Sequence, residues 1–251
     1  MFFDFGTLGN LRNSDLVMWD GLTESWWQQF TGEAIVGDMA GRKRRFLSFA
    51  LASWEDFKTA NPDGSALDRP TGFGRPYGRN PYAGYDEVDN PPFAFFGDLD
   101  GRLLPRERLV ALELDGMAAV FPFSVLREEG AVNYTVNGRD VAVEKDGDTE
   151  SAFANRSTND YEAVGALGVF DPNLEGQKLT FRVEGDGFVD EETGSVWNIL
   201  GQAAEGPLVG KALIPVVHAN HFWFAFGAFR PDTLIYQGVE RMSLRQEASG
   251  T

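Results

Sequence analysis

A stretch running from Asp20 to Asp63 returns between Asp190 and Asp232, and this return constrains the fold more than any other feature of the chain. Asp20, Thr23, Ser25 and Trp27 reappear in order as Asp190, Thr193, Ser195 and Trp197. After the loss of one residue, Gly32, Ala34, Gly37 and Gly41 become Gly201, Ala203, Gly206 and Gly210. Trp54, Phe57, Pro62 and Asp63 then become Trp223, Phe226, Pro231 and Asp232. Glycine suits positive φ or close backbone approach, tryptophan supplies large buried area, and a proline closes a helix by restricting the residue before it. Two copies of one supersecondary unit are therefore expected. A solenoid is not, because the period is far longer than solenoid periods.

Around the two copies the expected architecture is mainly β with a few short helices, a β-rich α+β fold of two related repeats, the first incomplete. Residues 1–68 form that first repeat, 69–104 a connecting loop, 105–240 the complete second repeat and 241–251 a tail. Phe2 to Leu11 reads as strand, turn, strand, and Arg42 to Phe49 as a further strand. Ser53 caps a short helix that carries Trp54 and Phe57 on one face and stops at Asn61-Pro62. In the second copy Asn220 is expected to cap a buried helix with Phe222, Trp223, Phe224, Phe226 and Phe229. Asp115-Gly116 and Asn137-Gly138, each between apolar runs, predict two hairpins in front of the second copy. The first copy has none. It must borrow neighbours, pair with another chain through unpaired strand edges, or belong to a longer protein.

Composition narrows the partners. With 38 acidic and 22 basic residues the formal charge is −16, which opposes binding to nucleic acid and to anionic membrane surfaces. A chain without cysteine has no disulfides, thiolate nucleophiles or Cys-based metal sites. No run is long and apolar enough to span a bilayer, and Met1-Phe2-Phe3-Asp4 lacks the pattern of a signal peptide.

Three clusters invite chemistry. His218 and His221 are the only histidines. Placed on one helical turn they can bind a metal with a carboxylate such as Asp190 or Glu191; otherwise they line or cap the aromatic helix. Asp190, Glu191 and Glu192 form an acidic turn suited either to acid–base work or to bonding local backbone N–H groups. The segment from Arg69 to Gly101 is rich in Gly, Pro and Tyr and reads as one long loop. Its Arg75, Tyr77, Arg79, Asn80, Tyr82 and Tyr85 can line a groove for an anionic or sugar-like small molecule, with bidentate arginines and stacking tyrosines; the alternative is a strap joining the two copies. Arg42 to Arg45 is a basic run, suited either to a polyanion or to a solvated edge strand blunted by charge; Leu213 and Ile214 stand in the second copy where Arg44 and Arg45 stand in the first. No nucleophile elbow or phosphate loop is present.

The segments LRNSDLVMWDGLTESWWQQFTGEAIVGDMAG, RPYGRNPYAGYD, RERLVALELDGMAAVFPFS, DEETGSVWNILGQA and HANHFWFAFGAFRPDT resemble the prokaryotic family of the domain of unknown function DUF3179, over nearly the whole of Leu11 to Gln237. Members of that family usually carry an export signal or lipoprotein start, then a hairpin module and a Cys-Pro-x-Cys stretch, before the point where this sequence begins. The resemblance therefore implies an exported or cell-surface setting and an N-terminally short chain, and it supplies no catalytic residues and no cofactor. The reading that follows is a non-catalytic ligand-binding or structural module. The alternatives are a metal-dependent enzyme using His218, His221 and a carboxylate, or a remnant of a longer active protein.

Overall fold

The computed structural model describes residues 4–68, 72, 74–85, 87–147, 149–151, 162–185 and 187–238. Residues 152–161 and the whole of the expected tail, 241–251, lie outside them.

The first copy holds β1 (Phe5–Arg12), β2 (Asp15–Asp20), β3 (Trp26–Gln28), β4 (Ala34–Val36) and α1 (Trp54–Ala60). The first four strands make one antiparallel sheet in sequential order. Next come β5 (Arg108–Leu114), β6 (Met117–Pro122), α2 (Phe123–Glu129), β7 (Ala131–Val136), β8 (Arg139–Lys145), β9 (Glu150–Ser151), β10 (Glu162–Ala163) and β11 (Leu167–Asp171). The chain ends with β12 (Asn173–Leu174), β13 (Gln177–Lys178), β14 (Phe181–Glu184), β15 (Gly187–Asp190), β16 (Val196–Trp197), β17 (Ala203–Glu205), β18 (Ile214–Pro215), β19 (His218–Phe222), α3 (Trp223–Phe229) and β20 (Leu234–Ile235). The protein is thus mainly β with three short helices among the described residues.

Both expected hairpins form. Asp115-Gly116 and Asn137-Gly138 take positive φ at both turn residues, the mirror-image turn whose twist suits flanking strands. The β5–β6 ribbon is flanked by β19 and, in parallel, by β20. The β7–β8 ribbon is extended by β11 and β18. These two sheets share one core, in which Val110, Leu112 and Phe121 meet Val132, Val143 and Val169. Because side chains alternate along a strand, the other faces of these sheets are buried too. Ala142 and Phe170 pack on Phe181, Phe188 and Trp197 of the β14–β17 region, while Leu109, Ala111 and Val120 pack on Trp223 and Phe226 of α3. Phe30 of the first copy joins that last cluster, stacking on Phe229 at 4.3 Å.

Three local expectations are corrected. The opening segment is one strand, β1, with an irregularity between Thr7 and Leu11, since the positive φ of Gly9 bends the strand without ending it. Arg42 to Phe49 is not a strand; only Lys43 bridges to Glu33, because no neighbouring ribbon offers a ladder there. Asn220 does not cap α3. It sits within β19, paired with Val110, and Phe222 occupies the N-cap.

Candidate functional site

In the two acidic turns Asp20 and Asp190 hold the same set of hydrogen bonds. Thr23 N–H and Thr193 N–H donate to Oδ1 of Asp20 and Asp190 at 2.6 Å each. The two threonine hydroxyls donate to the Oδ2 atoms, at 2.7 and 2.9 Å. The Trp27 and Trp197 indoles donate to the same Oδ2 atoms, at 2.8 and 2.9 Å. Ser25 Oγ and Ser195 Oγ accept from Met39 N–H and Leu208 N–H, at 3.0 Å in both cases. Burial acts to raise Asp20, but the bonds from Trp27, Thr23 and Leu22 outweigh it and bring the carboxyl down to about 2. Asp190 is lowered on the same balance, burial opposed by Trp197, Thr193 and Ser195. A buried carboxylate held by four donors is a structural staple, and its lone pairs are not on offer to a metal or a substrate.

The histidines are not on a helical turn. Both belong to β19, where a spacing of three places side chains on opposite faces. His218 lies opposite Leu112, on the side of the inter-sheet core, with Nδ1 2.8 Å from the Val216 carbonyl oxygen. His221 lies opposite Leu109, on the α3 side, and its ring contacts Phe30 at 4.9 Å and Phe226 at 5.6 Å. Burial holds both rings below the usual imidazole range, His221 at about 4. No group of three His, Asp or Glu side chains among the described residues can hold a metal ion. The expected set of His218, His221 and Asp190 is therefore not brought together.

The connecting loop is only partly assembled. Arg75, Tyr77 and Arg79 are exposed, Asn80 is buried, and its Oδ1 accepts from Tyr82 N–H at 2.8 Å. Tyr82 and Tyr85 meet edge to face at 5.9 Å and line a shallow hollow with Pro91, Pro92, Phe93 and Arg106. Arg106, which the sequence reading did not single out, organises this region. Its guanidinium donates to the carbonyls of Gly84, Tyr85 and Pro91 and stacks over Tyr85 at 4.5 Å. Tyr85 in turn meets Phe222 at 5.6 Å, and Phe95 meets Phe224 at 5.5 Å. On the other side Phe96 N–H donates to Ser14 Oγ at 2.8 Å. These bonds tie the loop to both copies.

A deeper groove lies elsewhere, about 840 Å³ in volume, between the start of α1 and the ends of β8, β14 and β15. Ser53, Asp56, Lys145, Thr149, Gly187 and Phe188 line it. Ser53 caps α1, accepting from Asp56 N–H at 3.0 Å and donating to the Asp56 carboxylate at 2.6 Å. Lys145 is 7% exposed, and its ammonium donates to the Asp146 carbonyl oxygen at 3.2 Å. Burial, and then the nearby Arg127 charge, push its pKa down. Glu144, one residue earlier, is on the other face of β8 and closed off from solvent. Neither of its oxygens has a hydrogen-bond partner among the described residues, and burial raises its carboxyl to about 8.

A family described as "Protein of unknown function (DUF3179)" matches residues 2–233. The chain belongs to this family. No curated protein and no solved structure matches it. Within this DUF3179 domain Glu144 and Lys145 escaped the sequence reading because they end an otherwise apolar strand, Val141-Ala142-Val143. Two charges closing such a run were the available signal. Among the described residues no helix is long and apolar enough to cross a membrane.

Proposed function

We propose that this DUF3179 domain is a non-catalytic binding module, and that its first copy is an acceptor for a two-stranded β-ribbon on another polypeptide. The supporting observation is the contrast between α1 and α3. Trp54 and Trp223 open the two helices, yet Trp54 is 59% exposed and Trp223 is 0% exposed. The β5–β6 ribbon covers Trp223 through Leu109, Ala111 and Val120. The chain before α1 holds no strand, only a single bridge from Leu51 to Leu167, and leaves Phe46, Leu47, Phe49 and Leu51 exposed. In the second copy, Val216 and His218 stand where Leu47 and Phe49 stand in the first, and both are buried. Five exposed large apolar side chains within nine residues suit an interaction surface, and the second copy supplies the template for its occupant.

Asp20 and Asp190 are each held by four donors, the histidines face apart, and the Arg106-centred loop bonds to both copies.

A fluorescein-labelled peptide copying Arg108 to Pro122 tests the reading by anisotropy. Saturable binding is expected, weakened at least tenfold, about 1.4 kcal/mol, by Trp54→Ser combined with Phe49→Ser. Equal binding to wild type and variant, or none to either, contradicts it.

A further inference from the structure

The hollow on the connecting loop carries an inference apart from the ribbon-acceptor reading, since no residue from Phe46 to Trp54 lines it. Its volume is about 620 Å³, in the range of binding sites. Tyr82 is 58% exposed and Phe93 78% exposed, so two of its aromatic walls stand open to a partner.

Both walls are held in place. Tyr82 N–H donates to Asn80 Oδ1 at 2.8 Å, and Tyr85 N–H to the Tyr82 carbonyl at 2.9 Å. Arg106 ties the carbonyls of Gly84, Tyr85 and Pro91 into one frame. Past Phe93 the chain turns at Ala94, whose φ of +55° is unusual for a residue with a side chain. That turn is fixed on its far side, where Phe95 meets Phe224 and Phe96 N–H donates to Ser14 Oγ. Aromatic surface on such a frame loses little freedom on binding.

The hydrogen-bonding groups decide the class of ligand. Asn90 has both amide hydrogens engaged, one on the Gly84 carbonyl at 3.4 Å and one on Glu87 Oε2 at 2.6 Å. Arg106 is 5% exposed and committed to its three carbonyls. The hydroxyls of Tyr82 and Tyr85 have no partner among the described residues, and they are the side-chain donors on offer. A saccharide buries many hydroxyls, each costly when unmatched, and two tyrosines do not meet that demand. A proline-rich strand asks for less. Proline has no N–H to satisfy, and its rings pack on aromatic faces. A polyproline II backbone makes no internal hydrogen bonds, so its carbonyls are free to accept from tyrosine hydroxyls.

We propose that this hollow docks a proline-rich segment of another protein in the polyproline II conformation, with proline rings against Tyr82 and Phe93 and carbonyls on the Tyr82 and Tyr85 hydroxyls.

Isothermal titration calorimetry on the full chain tests this, with octaproline as the probe and a glycine–serine octapeptide and maltotetraose as controls. Octaproline is expected to bind saturably and at least tenfold more tightly than either control. Tyr82→Ala, on an exposed side chain that leaves the fold intact, is expected to weaken it at least tenfold. Tyr82→Phe, which keeps the ring and removes the hydroxyl, is expected to weaken it about three- to tenfold. Trp54→Ser combined with Phe49→Ser is expected to leave it unchanged, which separates this site from the ribbon acceptor. A melting curve for each variant separates lost binding from lost folding. No octaproline binding, a control that binds as tightly as octaproline, or undiminished octaproline binding by a folded Tyr82→Ala variant overturns the proposal.

Discussion

Trp54 and Trp223 begin equivalent seven-residue helices and sit in opposite environments, the first open to solvent and the second sealed. The Trp223 indole donates to the Asp100 carbonyl at 2.7 Å, and the Arg102 guanidinium lies 5.0 Å from its ring. Trp54 has Phe57 stacked beside it at 5.7 Å. Truncating a buried aromatic loses its transfer energy and leaves a cavity, so Trp223→Ala is expected to cost about 3–5 kcal/mol. Trp54→Ala is expected to cost less than about 1 kcal/mol. Urea denaturation of both variants reads the difference directly.

The stapled aspartates set the acid limit of the fold. Asp20 titrates at about 2 in the folded chain against an ordinary 3.8, and Asp190 is displaced in the same direction. A depressed folded pKa gives stability that is present above the unfolded value and lost as pH falls through the folded one. Stability is therefore expected to fall between pH 3.8 and about 2. Asp190→Asn, which turns an acceptor for Trp197 and Thr193 into a mixed amide, is expected to cost about 1–3 kcal/mol at neutral pH. Thermal melting across pH for wild type and variant checks both statements.

Glu144 has the opposite sign. Burial raises it from 4.5 to about 8, so the folded chain binds a proton there that the unfolded chain has released. That contribution is complete below pH 4.5 and is lost progressively as pH rises toward 8. Glu144→Leu removes both the titration and the unpaired buried oxygens. It is expected to flatten the stability profile over that range and to gain at least about 1 kcal/mol at pH 8. A variant that melts lower than wild type at pH 8 contradicts this account of the side chain.

Two glycines of the second copy separate backbone strain from steric collision. Gly206 has φ +89°, and a Cβ there would lie 2.8 Å from Ser195 Cα. Gly210 has φ +83° with nothing within 4 Å. Gly210→Ala carries only the strain of a left-handed residue, about 1 kcal/mol. Gly206→Ala adds a clash with backbone that cannot give way, so its loss is expected to be at least about 1 kcal/mol larger. Chemical denaturation of the two variants ranks them.

The parts of the fold legible from the chain were those set by local rules. The Asp115-Gly116 and Asn137-Gly138 turns required positive φ and took it. Asp, Thr, Ser and Trp at matched spacings announced a bonded turn, and the same bonds occur around Asp20 and Asp190. What was illegible depended on distant neighbours. His218 to Phe222 runs straight into an aromatic helix, so its apolar pattern looked helical, and only pairing with β5 makes it a strand. Arg42 to Phe49 has the composition of a strand, but its pairing stops at the single bridge between Lys43 and Glu33. Arg106 looked like any surface arginine, and its three carbonyl acceptors come from a loop that folds back over it. Lys145 was hidden because burial of its amine is decided by Phe123, Gly165 and Asp146, which other segments or the following turn supply.

The ribbon-acceptor reading is tested most directly by the solvent accessibility of Trp54. Iodide quenching, compared between wild type and Trp54→Phe, isolates this indole from the other five tryptophans. On titration with the Arg108 to Pro122 peptide, the account predicts that the Trp54 component loses its quenching and shifts to shorter emission wavelength. A Trp54 component that stays fully quenchable at saturating peptide contradicts it.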